Sequence, residues 1–366
     1  MPPASLTLTP TVSMPQIGFG TWGIKPIDVE VSLRAAISMG YRLIDSAPVY
    51  HNEQEVGRTL QALIKEGAVS RDSIFLTSKV PPTDACDRKQ LINRVRRTLD
   101  HLQVEQLDLY LVHWPFCTRS DAPTWPPPMA YRRGYSAAQL RETWSTMEEL
   151  VAMGLVRSIG LSNIGPNRLR TLVTDPSLRV RPSVVQVEHH PYNSNVDLRA
   201  YCAAANIRIT AYASLGSDAR PTKYQHGQMR LLDDHTLLRV AQAHDATPAA
   251  IALAWAVRDP NVAIIPKSTH PDRIAANMRD PLALAASLTN EEMRALDGLD
   301  RGFHYLAEGW RSYAWREGMT LAELYDDPPP VSLPPFTALL GLAFAVFCIR
   351  RHQAKSQTSY VTIPRA

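Results

Sequence analysis

Cysteine is scarce in this chain, with four in 366 residues. Cys86, Cys117, Cys202 and Cys348 have neither the short paired spacing of a metal site nor a C-x-x-C redox motif. No metal is therefore expected. No secretory signal is recognised at the N-terminus, so a catalytic domain facing the reducing cytosol is expected, and no C-a-a-X ending is present to supply a lipid anchor. An excess of charge is also missing. The formal net charge is +4, from 39 Lys plus Arg against 35 Asp plus Glu, but Arg350, Arg351, Lys355 and Arg365 all follow Ile349 with no acid among them. Setting those four aside leaves the rest neutral, which removes the electrostatic footprint of a nucleic-acid binder.

What is present is a 45% hydrophobic chain, ample for one large core. Short apolar runs alternate with stretches of helical period. IGFG near Ile17, then YRLID, SIFLTSK, LDLYLVH, VRSIGLSN, SVVQVEHH, IRITAY and NVAIIPKS read as buried strands. Between them, helices are expected at about 29–39, 53–65, 88–102, 138–153, 168–173, 198–205 and 234–257. Thr247-Pro248 divides the last into two, as an N-cap followed by proline at the first helical position. Eight strands, each followed by a helix, predict a (β/α)8 TIM barrel, in which working groups stand at the carboxyl ends of the strands.

A doubly wound sheet is the competing fold. Gly18-Phe19-Gly20-Thr21-Trp22-Gly23 fits G-x-G-x-x-G, and Asp45 ends the next strand at a suitable distance. The mechanics disagree, because the third glycine should lie inside the packing helix. Here Ile24-Lys25-Pro26 follows, and the helix starts near Asp28. The glycines are assigned instead to the first strand-to-helix turn, where Thr21 and Trp22 face the pocket.

Asp45, Tyr50, Lys79 and His113 fall at or just past strand ends, and together they make an acid catalyst with its tuning groups. A tyrosine hydroxyl, with a pKa of about 10, is a weak acid near neutrality. A neighbouring ammonium such as Lys79 favours the phenolate, a carboxylate such as Asp45 holds that ammonium, and a histidine orients the acceptor oxygen. Tyrosine as acid points to a carbonyl substrate. Alone, each residue has an ordinary structural reading as a turn, cap or solvated side chain.

From about Leu6 to Tyr325 the chain resembles the aldo-keto reductases, an NADPH-dependent barrel family. GYRLIDSAPVYHNEQEVG (40–57) resembles the signature around the catalytic aspartate and tyrosine, SKV supplies Lys79, and LVHWP supplies His113. GLSN, QVEHHPY, AYASLG and IPKST resemble the cofactor segments. The resemblance implies NADPH/NADP as cofactor, with the nicotinamide held by Ser162, Asn163 and Gln186 and stacked on Tyr212. Gly20, Thr21, Trp22 and Leu215 belong to the same cofactor set. Lys267, Ser268, Arg273 and Asn277 then suit a 2′-phosphate, the last two being spaced i, i+4 on one helix face. Two positions depart from the family pattern: Ala276 stands where a glutamate is common, and Ala213-Ser214 replaces Ser-Pro after the stacking tyrosine.

On the substrate side, Trp22, Tyr50, His113 and Trp114 are the expected contacts, with the aromatic segment 303–315 at the pocket mouth. The proline- and arginine-rich stretch 116–135 is read as a long loop beside it. A single-chain reductase acting on a small carbonyl is expected. The alternative is a barrel that senses nicotinamide state and regulates a partner without turnover.

The domain is expected to occupy 1–325, with 326–366 as a tail. Residues 331–349 carry no charge and run into Arg350-Arg351. Its most apolar part, Phe336 to Ile349, would span roughly 21 Å as a helix, short of a ~30 Å hydrocarbon layer. Adding 331–335 brings the length close, with Pro334-Pro335 at the entry. A tail-anchored helix is the expectation, with a packed terminal helix or an interfacial segment as the alternative, and the basic flank sits awkwardly with a cytosolic domain because it would tend to stay on the cytosolic side.

Overall fold

The structure, a computed structural model, describes residues 4–119, 121, 131–133, 136–217 and 230–306. Its first element is one that the strand pattern did not announce. β1 (Ser5–Thr9) and β2 (Val12–Pro15) form an antiparallel hairpin. Then follow β3 (Gly18–Gly20), α1 (Pro26–Ser38), β4 (Leu43–Asp45), α2 (Glu53–Lys65), β5 (Phe75–Val80), α3 (Arg88–Leu102) and β6 (Leu109–Val112). A short pair, β7 (Cys117–Thr118) and β8 (Arg132–Arg133), leads to α4 (Ala137–Ala152), β9 (Ile159–Ser162), α5 (Pro166–Val173), β10 (Val184–Glu188) and α6 (Val196–Ala204). The last described elements are β11 (Arg208–Tyr212), α7 (His235–Ala243), α8 (Pro248–Val257), β12 (Val262–Ile264), α9 (Pro271–Ser287) and α10 (Asn290–Asp297).

The eight strands β3, β4, β5, β6, β9, β10, β11 and β12 lie side by side in parallel, in chain order. Ile17 bridges to Ile264, Ile264 N–H donates to Gln16 O (2.9 Å), and Gly20 N–H donates to Pro266 O (3.2 Å), so the first strand meets the last. The sheet is a (β/α)8 TIM barrel and not a doubly wound sheet. A Cβ on Gly20 would stand 2.7 Å from Ile265 O, so the glycine permits this close approach at the seam. Gly23 adopts φ +73° in the turn that follows, and α1 starts beyond it. That is the role assigned to these glycines against the dinucleotide fingerprint.

The helices start where their side chains satisfy backbone donors. Asp87 accepts from Gln90 N, Ser136 from Gln139 N, and Thr247 from Ala250 N at the division between α7 and α8. The hairpin closes the amino-terminal end of the barrel. Leu6, Leu8, Val12 and Met14 pack on Leu43, Phe75, Leu109 and Val184, which head their strands, and Met14 is fully buried. The opposite, carboxyl end is therefore left to carry chemistry.

Cys86 and Cys117 are paired as a disulfide, with Cα atoms 5.7 Å apart. Their separation of 31 residues hides this, because the proximity comes from the neighbouring strands β5 and β6 and not from spacing along the chain. Cys202 is buried and free. Among the described residues no helix is long and apolar enough to cross a membrane. The segment 331–349 lies outside them, as does 307–315 of the aromatic stretch.

Candidate active site

Asp45 ends β4, Tyr50 closes the 3-10 turn Pro48–Tyr50 that follows, Lys79 lies in β5, and His113 follows β6 directly. The turn is fixed by His51, whose left-handed φ of 57° stops it. Asn52 then donates through Nδ2 to Thr21 O (2.9 Å) and Ile24 O (3.0 Å), tying the Tyr50 segment to the turn after β3. Thr21 donates its hydroxyl to Asp45 O at 2.9 Å, so that turn is also held to the end of β4.

Lys79 is fully buried, and its ammonium has three protons to place. It places them on Asp45 Oδ1 at 2.7 Å, Ser46 O at 3.0 Å and Tyr50 Oη at 3.0 Å. The three oxygens complete its shell. Burial pulls the Lys79 pKa down, yet Asp45 and Tyr50 more than reverse this and leave it raised. Tyr50 differs in one respect from the expectation that Lys79 leaves it a stronger acid. Burial pushes the phenol up to about 12, against the pull of Lys79. Desolvation of the phenolate outweighs a single neighbouring cation. Burial and the Lys79 charge together hold His113 well below its usual range, so its imidazole is neutral and able to donate an N–H. Its ring stands edge-on to that of Tyr50, centroids 6.0 Å apart.

The residues expected to hold the nicotinamide lie at the same strand ends. Asn163, in the left-handed conformation (φ 57°), donates through Nδ2 to His113 O (2.8 Å) and accepts from Tyr212 Oη (2.5 Å). Ser162 donates to Gln186 O at 2.9 Å, and Gln186 Nε2 donates to Asp45 Oδ2 at 2.7 Å. Gln186 therefore links the carboxamide set to the acid set. Trp22 is 42% exposed, whereas Trp114 is buried with its ring against Phe116.

After β12, Lys267 and Ser268 precede α9, which carries Arg273 and Asn277. Lys267 is half-buried, and desolvation lowers its pKa. Arg273 is exposed, and neither cation has a carboxylate within ion-pair distance among the described residues. Two cations left without carboxylates beside a hydroxyl fit a phosphate monoester. Leu215 packs on the core beside Gly216, which turns with φ +81°.

Several participants were not singled out in the sequence. Glu53 at the start of α2 is 3% exposed and accepts from Ser78 Oγ at 2.6 Å, immediately before Lys79. Burial pushes its carboxyl up to about 7, against Ser78, Lys79 and Arg94. It helps line a cleft of about 510 Å³ between α2 and α3, with Pro48, Pro81, Arg94 and His101; no tetrad residue lines it. Glu188, two residues past Gln186, faces elsewhere: it accepts N–H groups from Tyr305 and Leu306 and lies 2.9 Å from His190 Nε2. In QVEHHPY, then, Gln186 serves the site and Glu188 anchors chain near 305. The sequence HNEQEVG held the signal for Asn52 and Glu53, since both follow Tyr50 within one turn.

A (β/α)8 barrel whose strand ends gather a buried Asp–Lys–Tyr chain, a neutral imidazole and a hydrogen-bonded set of amide and hydroxyl side chains fits an oxidoreductase. The sequence profile of the Aldo/keto reductase family matches residues 16–301. Among curated proteins, "Aldo-keto reductase family 1 member A1" of Rattus norvegicus is 39% identical over 308 residues, covering 84% of this chain and 92% of the relative. The Homo sapiens protein of the same name is 38% identical over 80% of this chain and 88% of its own. A "Probable NAD(P)H-dependent D-xylose reductase xyl1" of Arthroderma otae is 37% identical over 80% and 90%. The chain belongs to the aldo/keto reductase family, and the reaction class that goes with it is carbonyl reduction by hydride transfer from NADPH. A regulatory barrel without turnover is not favoured.

Proposed function

We propose that this chain reduces aldehydes or ketones of the carbonyl-reductase and alcohol-dehydrogenase type, with Tyr50 as general acid. The observation that carries the reading is Lys79 Nζ, held at once by Asp45 and Tyr50 Oη. When bound, NADPH supplies the hydride that reaches the carbonyl carbon. Tyr50 Oη gives its proton to the oxygen as charge develops there, Lys79 stabilises the phenolate left behind, and Asp45 keeps Lys79 charged and oriented. Neutral His113 donates an N–H to the same oxygen and orients it. A phenol kept protonated by burial suits the reductive direction, in which it acts as an acid.

Ser162, Asn163 and Gln186 would hold the carboxamide, Tyr212 would stack on the ring, and Gly20, Thr21, Trp22 and Leu215 would border the cofactor. Lys267, Ser268, Arg273 and Asn277 would take the 2′-phosphate, which favours NADP over NAD. Trp22 and Trp114 would wall an aromatic or apolar substrate. The reductase domain is assigned to 1–325, acting as a single chain, with membrane attachment through 331–349 of the tail. The charge-free run 331–349 supports that attachment.

Tyr50→Phe tests the core of this reading. It should lower kcat by at least about a hundredfold while NADPH still binds, read by quenching of protein fluorescence. Turnover near the wild-type rate would remove Tyr50 from its role.

A further inference from the structure

The loops after β5 and β6 share more than a place beside the site. His113 N–H donates to Val80 O (3.1 Å) and Thr118 N–H to Pro82 O (2.9 Å), so the two loops run together from the strand ends outward. Trp114 and Phe116 lie between these bonds on one loop, and Ala85 and Cys86 follow Pro82 on the other. The Cys86–Cys117 bridge, with Cα atoms 5.7 Å apart, falls within the span a disulfide accepts. It crosslinks the loop that follows Lys79 to the loop that holds Trp114.

We propose that Cys86–Cys117 is a thiol–disulfide modification site whose state sets how firmly the Trp114 wall of the substrate pocket is held, with a low-molecular-weight thiol as its reaction partner. The proposal rests on the carbonyl-reductase reading given above. Access decides which sulfur is attacked: Cys86 is partly exposed, and Cys117 is 3% exposed. A thiolate attacks Cys86 Sγ, the Cys86–Cys117 bond breaks, and Cys117 leaves as a thiolate that takes up a proton. A second thiolate then attacks the mixed disulfide and releases Cys86. Two electrons and two protons reach the protein, and the thiol pair becomes its own disulfide. Oxidised glutathione drives the reverse. Thr143 Oγ1 lies 3.9 Å from Cys86 Sγ, placing a hydroxyl donor beside the sulfur that leaves as a thiolate in the second step.

Opening the bridge leaves the acid machinery in place, because Lys79 is buried in a strand laddered on both sides. The Trp114–Phe116 segment loses its covalent tie to Cys86 and keeps the backbone bond at Thr118. The effect therefore falls on carbonyl binding and not on NADPH binding.

The test uses the full chain equilibrated in oxidised or reduced glutathione buffer, trapped by alkylation and mapped by peptide mass. The oxidised enzyme should yield a crosslinked peptide pair containing Cys86 and Cys117. Reduction should free both, raise KM for 4-nitrobenzaldehyde about three- to tenfold, leave the NADPH Kd unchanged, and speed amide exchange over 113–118. Cys117→Ser should show the high KM in both buffers, and Cys202→Ala should keep the response. A pair that stays alkylatable in oxidised buffer, a KM equal in both states, or a Cys117→Ser enzyme that still responds would overturn the proposal. If pairing and amide exchange respond but no state reduces any aldehyde, the carbonyl-reductase reading fails and the modification site stands.

Discussion

At Tyr50 and Glu53, burial and charge pull on neighbouring side chains with different outcomes. Tyr50 stays protonated despite the ammonium 3.0 Å away, because the phenolate is costly to bury. Glu53 is held near 7 by the same cost, which makes it a group whose titration reports on folding. Its folded pKa lies above the unfolded value of 4.5, so its stability contribution is complete below pH 4.5 and is lost as pH rises through about 7. Between pH 5 and pH 8 the wild type should therefore lose up to about 3 kcal/mol more than Glu53→Gln in denaturant titrations. Parallel profiles would show that the carboxyl is already ionised at pH 5. The gathering of Asp45, Tyr50, Lys79 and His113 was legible in the sequence, since each falls at or just past the end of a recognisable strand. The net direction of the Tyr50 pKa was not, because burial depth depends on packing from the whole barrel.

Among the elements, β10 and its continuation do two jobs within five residues. Gln186 reaches Asp45, and Glu188 turns to hold Tyr305 N–H, Leu306 N–H and His190. Burial alone would push the Glu188 carboxyl up, yet the imidazoles of His190 and His304 hold it down to about 2. Its contribution is thus present above pH 4.5 and lost as pH falls through about 2, opposite in sign to that of Glu53. Glu188→Ala leaves the buried Tyr305 N–H and the partly buried Leu306 N–H without their acceptor and should cost about 2–4 kcal/mol. Hydrogen exchange should also accelerate at Tyr305 and Leu306. Unchanged protection there would place the anchor elsewhere. The barrel strands and most helices were legible because period and caps are local signals. The β1–β2 hairpin, α10 and the Cys86–Cys117 bridge were not, since they depend on partners far along the chain or on segments too short to show a period.

For the whole molecule, the family match ends at residue 301 and leaves the basic, charge-segregated tail outside it. Deleting residues after Pro330 should leave aldehyde reduction unchanged and move the enzyme from the membrane pellet to the supernatant after carbonate extraction. A full-length chain already found in the supernatant would end the attachment reading. Inside the barrel, the packing of Leu6, Leu8, Val12 and Met14 has a consequence of its own. Together with the strand side chains that fill the barrel, it shuts the amino-terminal face to ligands, so NADPH and the carbonyl are expected to approach from the same carboxyl side.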